Sequence, residues 1–254
     1  MFGVRASALA IGAAVWLAAQ PAVAAHPNAL WRVVHDLCVT DMKIRGRPAP
    51  CMAVDRARGF AVVRDLRSAT QVLLVPTARL RGIESPQLLA AASPNYWQDA
   101  WEARRLFEKR AGRAVPRDVV GMAINSVYGR SQSQLHIHID CIRPDVRAAL
   151  AAHQAEIGHR WATASFDLVG ERYRLLRVDG ADLGASDPFK LLAAGDAGAR
   201  ADMGAETLVV VGETFAGDEP GFVLLSARAG VPANAGGAGE ALLDHRCDVL
   251  KAPG

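Results

Sequence analysis

Gln134-Leu135-His136-Ile137-His138-Ile139-Asp140 is the stretch on which the reading of this chain turns. Polar and apolar residues alternate without a break, which is the period of a β-strand and not of a helix. In a strand, Gln134, His136, His138 and Asp140 stand on one face, while Leu135, Ile137, Ile139 and Cys141 stand on the other. One face is therefore built for a core, and the opposite one carries two imidazoles two residues apart. The segment entering it, residues 125–134, reads Asn-Ser-Val-Tyr-Gly-Arg-Ser-Gln-Ser-Gln. It is dense in donors suited to an anion, and backbone N–H groups around Gly129 and Ser131 can cradle phosphate oxygens.

Outward from this strand, residues 119–124 read as another strand, and Pro144 opens a helix running to about residue 157. Upstream, residues 59–63 and 71–75 read as two strands joined by a turn at 65–69. Trp97, Trp101, Leu106 and Phe107 recur at helical spacing over residues 95–109, with Gly112 as the stop. A shorter helix is expected through Leu30, Val33, Val34 and Leu37, followed by an exposed loop over residues 40–50. In the second half, residues 173–178, 207–211 and 221–225 read as strands, residues 188–194 as the start of a helix, 217–220 as a turn and 228–240 as loop. These elements predict an α+β fold, an antiparallel sheet with packed helices and the histidines on its outermost polar face. Residues 26–160 form the expected catalytic half. Residues 161–254 echo its element order without a His-x-His, as a degenerate repeat would, and are expected to extend the sheet.

The composition narrows the class. Of 254 residues, 51% are hydrophobic and 22% charged, which supports a sizeable core and excludes disorder. A net charge of only +3, without a basic run, argues against a nucleic-acid partner. Residues 1–25 differ in kind: Arg5, a charge-free apolar run over 6–19, then Gln20-Pro21 and the small-x-small sequence Ala22-Val23-Ala24. This pattern is that of a secretory signal peptide, or of an N-terminal membrane anchor if it is retained. Four cysteines follow, Cys38, Cys51, Cys141 and Cys247, and an even count in an exported chain favours disulfides. Three pairings are open. The nearest-neighbour one, Cys38 with Cys51 and Cys141 with Cys247, is expected, the short loop contributing about 3 kcal/mol and the long one about 4 to 5 kcal/mol on a chain-entropy basis.

Two chemistries suit the paired histidines. A neutral imidazole has one nitrogen free to attack and another whose N–H fixes the tautomer, so His136 or His138 can serve as nucleophile at phosphorus. Gln134, on the same face, can donate to a phosphoryl oxygen. Alternatively, His136 and His138 supply two ligands of a metal centre, with Asp140, His35, His153, His159 or His245 as the third. A pair of ordinary surface or core histidines in a non-catalytic binding protein is the plainer reading. The residues alone leave these open.

The longer string His136-Ile137-His138-Ile139-Asp140-Cys141-Ile142-Arg143-Pro144-Asp145-Val146-Arg147 resembles the bacterial CDP-diacylglycerol pyrophosphatases (CDP-diacylglycerol hydrolases) of the histidine-triad, HIT-like, superfamily. So do Tyr96-Trp97, Ala123-Ile124-Asn125-Ser126 and the tail Asp244-His245-x-Cys247. The resemblance runs from about residue 30 to the end. It implies hydrolysis of CDP-diacylglycerol to CMP and phosphatidate, without metal or cofactor, at the outer, periplasmic face of the bacterial inner membrane, so that a membrane surface is an expected partner. It assigns the nucleophile to His136, with a covalent cytidylyl-histidine intermediate, and a supporting role to His138. Gln134 stands where the superfamily pattern has its first histidine; an amide can donate a hydrogen bond but cannot shuttle a proton. Asn125 and Ser131 correspond to polar residues that orient the nucleophile and contact phosphate. Arg130, Ser133, Asp140 and Arg143 complete the expected substrate contacts, Arg143 having Asp145 as a rival partner.

Overall fold

The computed structural model describes residues 26–230 and 237–251; the signal or anchor expected over 1–25 lies outside them. All ten strands join one sheet. They are β1 (Ala53–Asp55), β2 (Phe60–Arg64), β3 (Val72–Pro76), β4 (Val120–Ile124), β5 (Ile137–Ile142), β6 (Ala162–Thr163), β7 (Arg174–Asp179), β8 (Glu206–Phe215), β9 (Glu219–Arg228) and β10 (Leu243–Asp244). Their order is β1-β2-β3-β5-β4-β8-β9-β7-β6, with β10 also paired to β5, and every ladder is antiparallel. The second half extends the sheet through β4 and β8. The helices are α1 (Ala29–Arg32), which runs on through a π-helical stretch over Val33–Val39 into α2 (Thr40–Arg45), then α3 (Tyr96–Ala111), α4 (Pro144–Ala152), α5 (Pro188–Gly195) and α6 (Ala197–Ala201). The fold is α+β.

The sequence pattern explains most of these elements. Asn95 caps α3 by accepting the Gln98 backbone N–H at 3.2 Å, and Gly112 ends it in the left-handed region at φ 72°. Between these stops Trp97, Trp101 and Phe107 face inward and pack on one face of the sheet with Leu74, Met122, Ile137 and Ile139. Residues 40–45, expected as loop, instead continue the N-terminal helix. Their charges sit on an exposed face, where Asp41 and Arg45 pair at 2.9 Å one turn apart. In the second half β8 and β9 outrun the expected strands at both ends, because Thr214 and Phe215 pair with Pro220 and Glu219 right up to the turn.

The opposite face of the sheet holds the histidine strand's polar residues, and register decides their neighbours. Val63, Leu73, His138, Ala123, Val209, Leu225 and Leu175 are successive cross-strand partners on β2, β3, β5, β4, β8, β9 and β7. His138 is the one polar member of that row. One apolar cluster covers this face over β2 and β3, with Leu30, Val34, Cys38 and Cys51. Another covers it over β8 and β9, with Val146 and Leu150 of α4. The face expected to be outermost is therefore largely roofed: His138 is 3% exposed and Asp140 fully buried.

Both disulfides are present in nearest-neighbour pairing, Cys38–Cys51 and Cys141–Cys247. The second closes a separation of 106 residues and ties the C-terminal segment beside β5. Replacing both Cys141 and Cys247 with Ser should lower the unfolding free energy by about 4 kcal/mol, read from urea denaturation against the unmodified protein.

Candidate active site

Strand pairing begins at Ile137, so residues 134–136 lie just before the ladder. They are held instead by the loop over 76–80: Leu135 N–H donates to Leu80 O at 2.7 Å, and the Gln134 amide donates to Pro76 O at 3.0 Å and Ala78 O at 2.9 Å. Gln134 is fully buried and both its amide hydrogens are taken. This corrects the expectation that it donates to a phosphoryl oxygen; the side chain fixes the backbone that precedes His136. That backbone has its own part, because the Gln134 carbonyl lies 2.7 Å from His136 Nδ1. A carbonyl oxygen only accepts, so Nδ1 carries the proton and Nε2 keeps a free lone pair. Burial, reinforced by the neighbouring His138, pushes the His136 pKa down to about 4.

His138 lies beside it, with ring centroids 4.8 Å apart. Its Nδ1 is 3.1 Å from a Glu240 carboxylate oxygen, but off the line of a hydrogen bond, and neither ring nitrogen has a hydrogen-bond partner among the described residues. Burial pushes its pKa down to about 3. Both imidazoles are thus neutral at ordinary pH. They open on a cleft of about 330 Å³ also lined by Asn125, Ser131, Gln132, Glu240 and the loop 64–67, with Leu30, Val33, Val63 and Leu73 as an apolar wall. Asn125 accepts the Glu240 backbone N–H at 3.1 Å, which fixes the backbone from which that carboxylate reaches His138.

The other expected contacts are placed differently. Arg130 forms a two-pronged pair with Glu84, both bonds 2.5 Å; although burial pushes the Glu84 carboxyl up, this fork holds it below its ordinary value. The guanidinium is thereby committed to the protein. Ser133 lies outside the cleft lining, its backbone N–H on Pro27 O at 2.6 Å. Asp140 is buried among Thr70 Oγ1 at 2.6 Å, Ser68 Oγ at 3.3 Å and His245 Nδ1 at 3.1 Å, so it ties loop and tail to β5 and does not face the cleft. Arg143 follows β5, roughly 16 Å along the chain from His138, and is bound through two nitrogens to Asp145, at 3.0 and 2.8 Å.

For the three-ligand metal alternative, His35, His153 and His159 pair on the surface with Asp36, Glu156 and Asp179, and the His245 Nδ1 turns to Asp140. The one grouping of three donor residues found among the described residues is Asp140, Cys141 and Cys247, and its sulfurs are bonded to each other. Sequence reading missed Glu240 and the loop 64–67. A lone acid ending the charge-free run 229–239 was the only signal for the first.

The cleft thus brings together two neutral, closely set imidazoles, one with its tautomer fixed, and the Glu240 carboxylate. The relatives of the chain define the class: the family model described as CDP-diacylglycerol pyrophosphatase matches residues 25–251, and the chain belongs to that family of hydrolases. Among characterised proteins it is similar to the CDP-diacylglycerol pyrophosphatase of Yersinia pestis, 40% identical over 223 residues, which covers 88% of this chain and 85% of the relative.

The tie between Asp140 and His245 has a direct readout. The Asp140 hydrogen bond raises the His245 pKa above its ordinary value. Asp140→Asn should bring it back down, so that in an NMR titration the His245 ring loses its proton at lower pH than in the unmodified protein.

Proposed function

We propose that this chain hydrolyses the pyrophosphate bond of CDP-diacylglycerol to CMP and phosphatidate, with His136 as nucleophile. The observation that carries the reading is the bond from His136 Nδ1 to the Gln134 carbonyl, which leaves Nε2 unprotonated on a ring that lines the cleft. Nε2 attacks the phosphorus bearing cytidine, an N–P bond forms, and the bridging P–O bond breaks with its electron pair leaving on phosphatidate. A phosphate monoester is a stable leaving anion and needs no protonation to depart. Water then attacks the same phosphorus, the N–P bond breaks, CMP departs, and the water proton passes to solvent.

The neighbours support this sequence. The unpartnered N–H of His138 is a buried donor held at a cost of about 1–3 kcal/mol, beside the ring that would carry the cytidylyl group. A phosphoryl oxygen repays that cost. Asn125 and Ser131 line the same cleft and can contact the phosphates. The apolar wall beside the histidines suits a lipid-linked substrate. With a signal or anchor at 1–25 and two disulfides, the reading sets the enzyme in the periplasm at the outer face of the inner membrane. No described helix is long and apolar enough to cross a membrane.

Acid quenching during turnover should trap a CMP-sized adduct on His136, found by peptide mass analysis, and His136→Ala should abolish both adduct and turnover, by at least on the order of a thousandfold. An adduct on another residue, or turnover that survives the substitution, would overturn the assignment. The pH profile gives a separate check. A nucleophile with its pKa pushed down to about 4 stays neutral where an ordinary histidine is protonated. The kcat/KM should therefore hold level from neutral pH to about 5 and fall only as pH drops through about 4, not through 6.5.

A further inference from the structure

The turn between β2 and β3 carries an apolar side chain straight into solvent: Leu66 is 88% exposed. The base of the turn is held by several hydrogen bonds. The Arg110 guanidinium of α3 donates to the backbone carbonyls of Asp65, Ser68 and Gln71. Ser68 Oγ accepts the Thr70 and Gln71 N–H groups at 3.2 and 2.9 Å, and Thr70 Oγ1 donates to buried Asp140 at 2.6 Å. A rigid base thus presents Leu66 outward against the hydrophobic effect.

Its neighbours are two cations and one acid. Arg64 and Arg67 flank it, both exposed, and Arg67 is 82% so, with Asp65 3.7 Å away. The Asp65 carboxylate accepts the Arg67 backbone N–H at 2.8 Å, which turns it toward the base of the loop. All four residues, 64–67, border the cleft of His136. From them an apolar floor, Val63 then Leu73, leads by cross-strand pairing to His138, and Leu30 and Val33 stand opposite. The N-terminal segment also borders this cleft: Ala29 and Leu30 line it, and the apolar run 6–19 precedes them in sequence.

Resting on the lipid-hydrolase reading above, we infer that the β2–β3 loop is a membrane-docking finger. Leu66 enters the outer acyl region of an anionic phospholipid bilayer, Arg64 and Arg67 lie at its phosphates, and a lipid's chains pass over Leu73 and Val63 as its headgroup reaches His136. The geometry is that of interfacial binding, where apolar side chains sink several ångströms while cations stay at headgroup level. The other exposed large aliphatics of the N-terminal region, Leu37 and Ile44, border a separate groove in which Asp36 and Asp41 offset Arg45 and Arg47, and which neither histidine lines.

All four native cysteines are bridged, so a cysteine added to the full chain is its single free thiol. A nitroxide on Leu66→Cys, with vesicles of phosphatidylethanolamine and phosphatidylglycerol, should gain relaxation by oxygen and lose relaxation by an aqueous nickel complex. The same label on Ile44→Cys should remain in water. Arg64→Ser and Arg67→Ser should each weaken partition onto these vesicles by roughly fivefold, and leave partition onto neutral phosphatidylcholine vesicles unchanged. A protein that fails to sediment with the anionic vesicles would overturn the inference. So would a label at 66 that stays aqueous in sedimented protein, immersion at 44 in its place, or spin–spin broadening at 66 showing that a second copy of the chain covers the loop. Turnover of detergent-dispersed CDP-diacylglycerol by the unmodified protein tests the catalytic reading separately, so either can fail without the other.

Discussion

Strand β5 is hydrogen-bonded along both edges, to β4 on one side and to β3 and then β10 on the other, and its two faces are both covered. The constraint that follows governs the rest of the molecule. Six residues in the middle of a ten-stranded sheet must satisfy two apolar surroundings while carrying a histidine and an aspartate. Ile137, Ile139 and Cys141 meet the α3 side without difficulty. The other side is met for Asp140 by bringing in remote pieces of chain, Ser68 and Thr70 from one loop and His245 from the tail, while Glu240 approaches His138 without a hydrogen bond. Burial, which these pieces complete, is also what strips the two imidazoles of their protons.

Much of this was legible in the sequence. The alternation over 134–140, the caps of α3 and the paired apolar runs at 59–63 and 71–75 are local signals, and local signals place local elements. The bounds of β8 and β9 were not legible, because Thr214, Glu219 and Pro220 carry turn chemistry and become strand only through each other. Residues 40–45 looked like loop because charge and nearby proline and glycine dominate the window, yet a helix tolerates charge wherever one side of it is free.

The site divides the same way. His136 and His138 announce themselves by spacing. What Arg130, Asp140 and Arg143 do depends on partners that no spacing reveals, and in each case a protein carboxylate or side chain occupies the group first. Gln134 is the more telling case. Its place in the pattern marks it for chemistry, but its amide is consumed by two carbonyls from 56 and 58 residues upstream, and its own backbone oxygen is what reaches His136.

The row Val63, Leu73, His138, Ala123, Val209, Leu225, Leu175 has a consequence for how this protein tolerates change. An aliphatic residue at 138 would complete a hydrophobic stripe across the sheet and remove two buried nitrogens that have no partner among the described residues. Selection for thermal resilience alone would thus favour loss of that imidazole. The polar break in the stripe stands against the grain of the fold, and packing gives no reason for it.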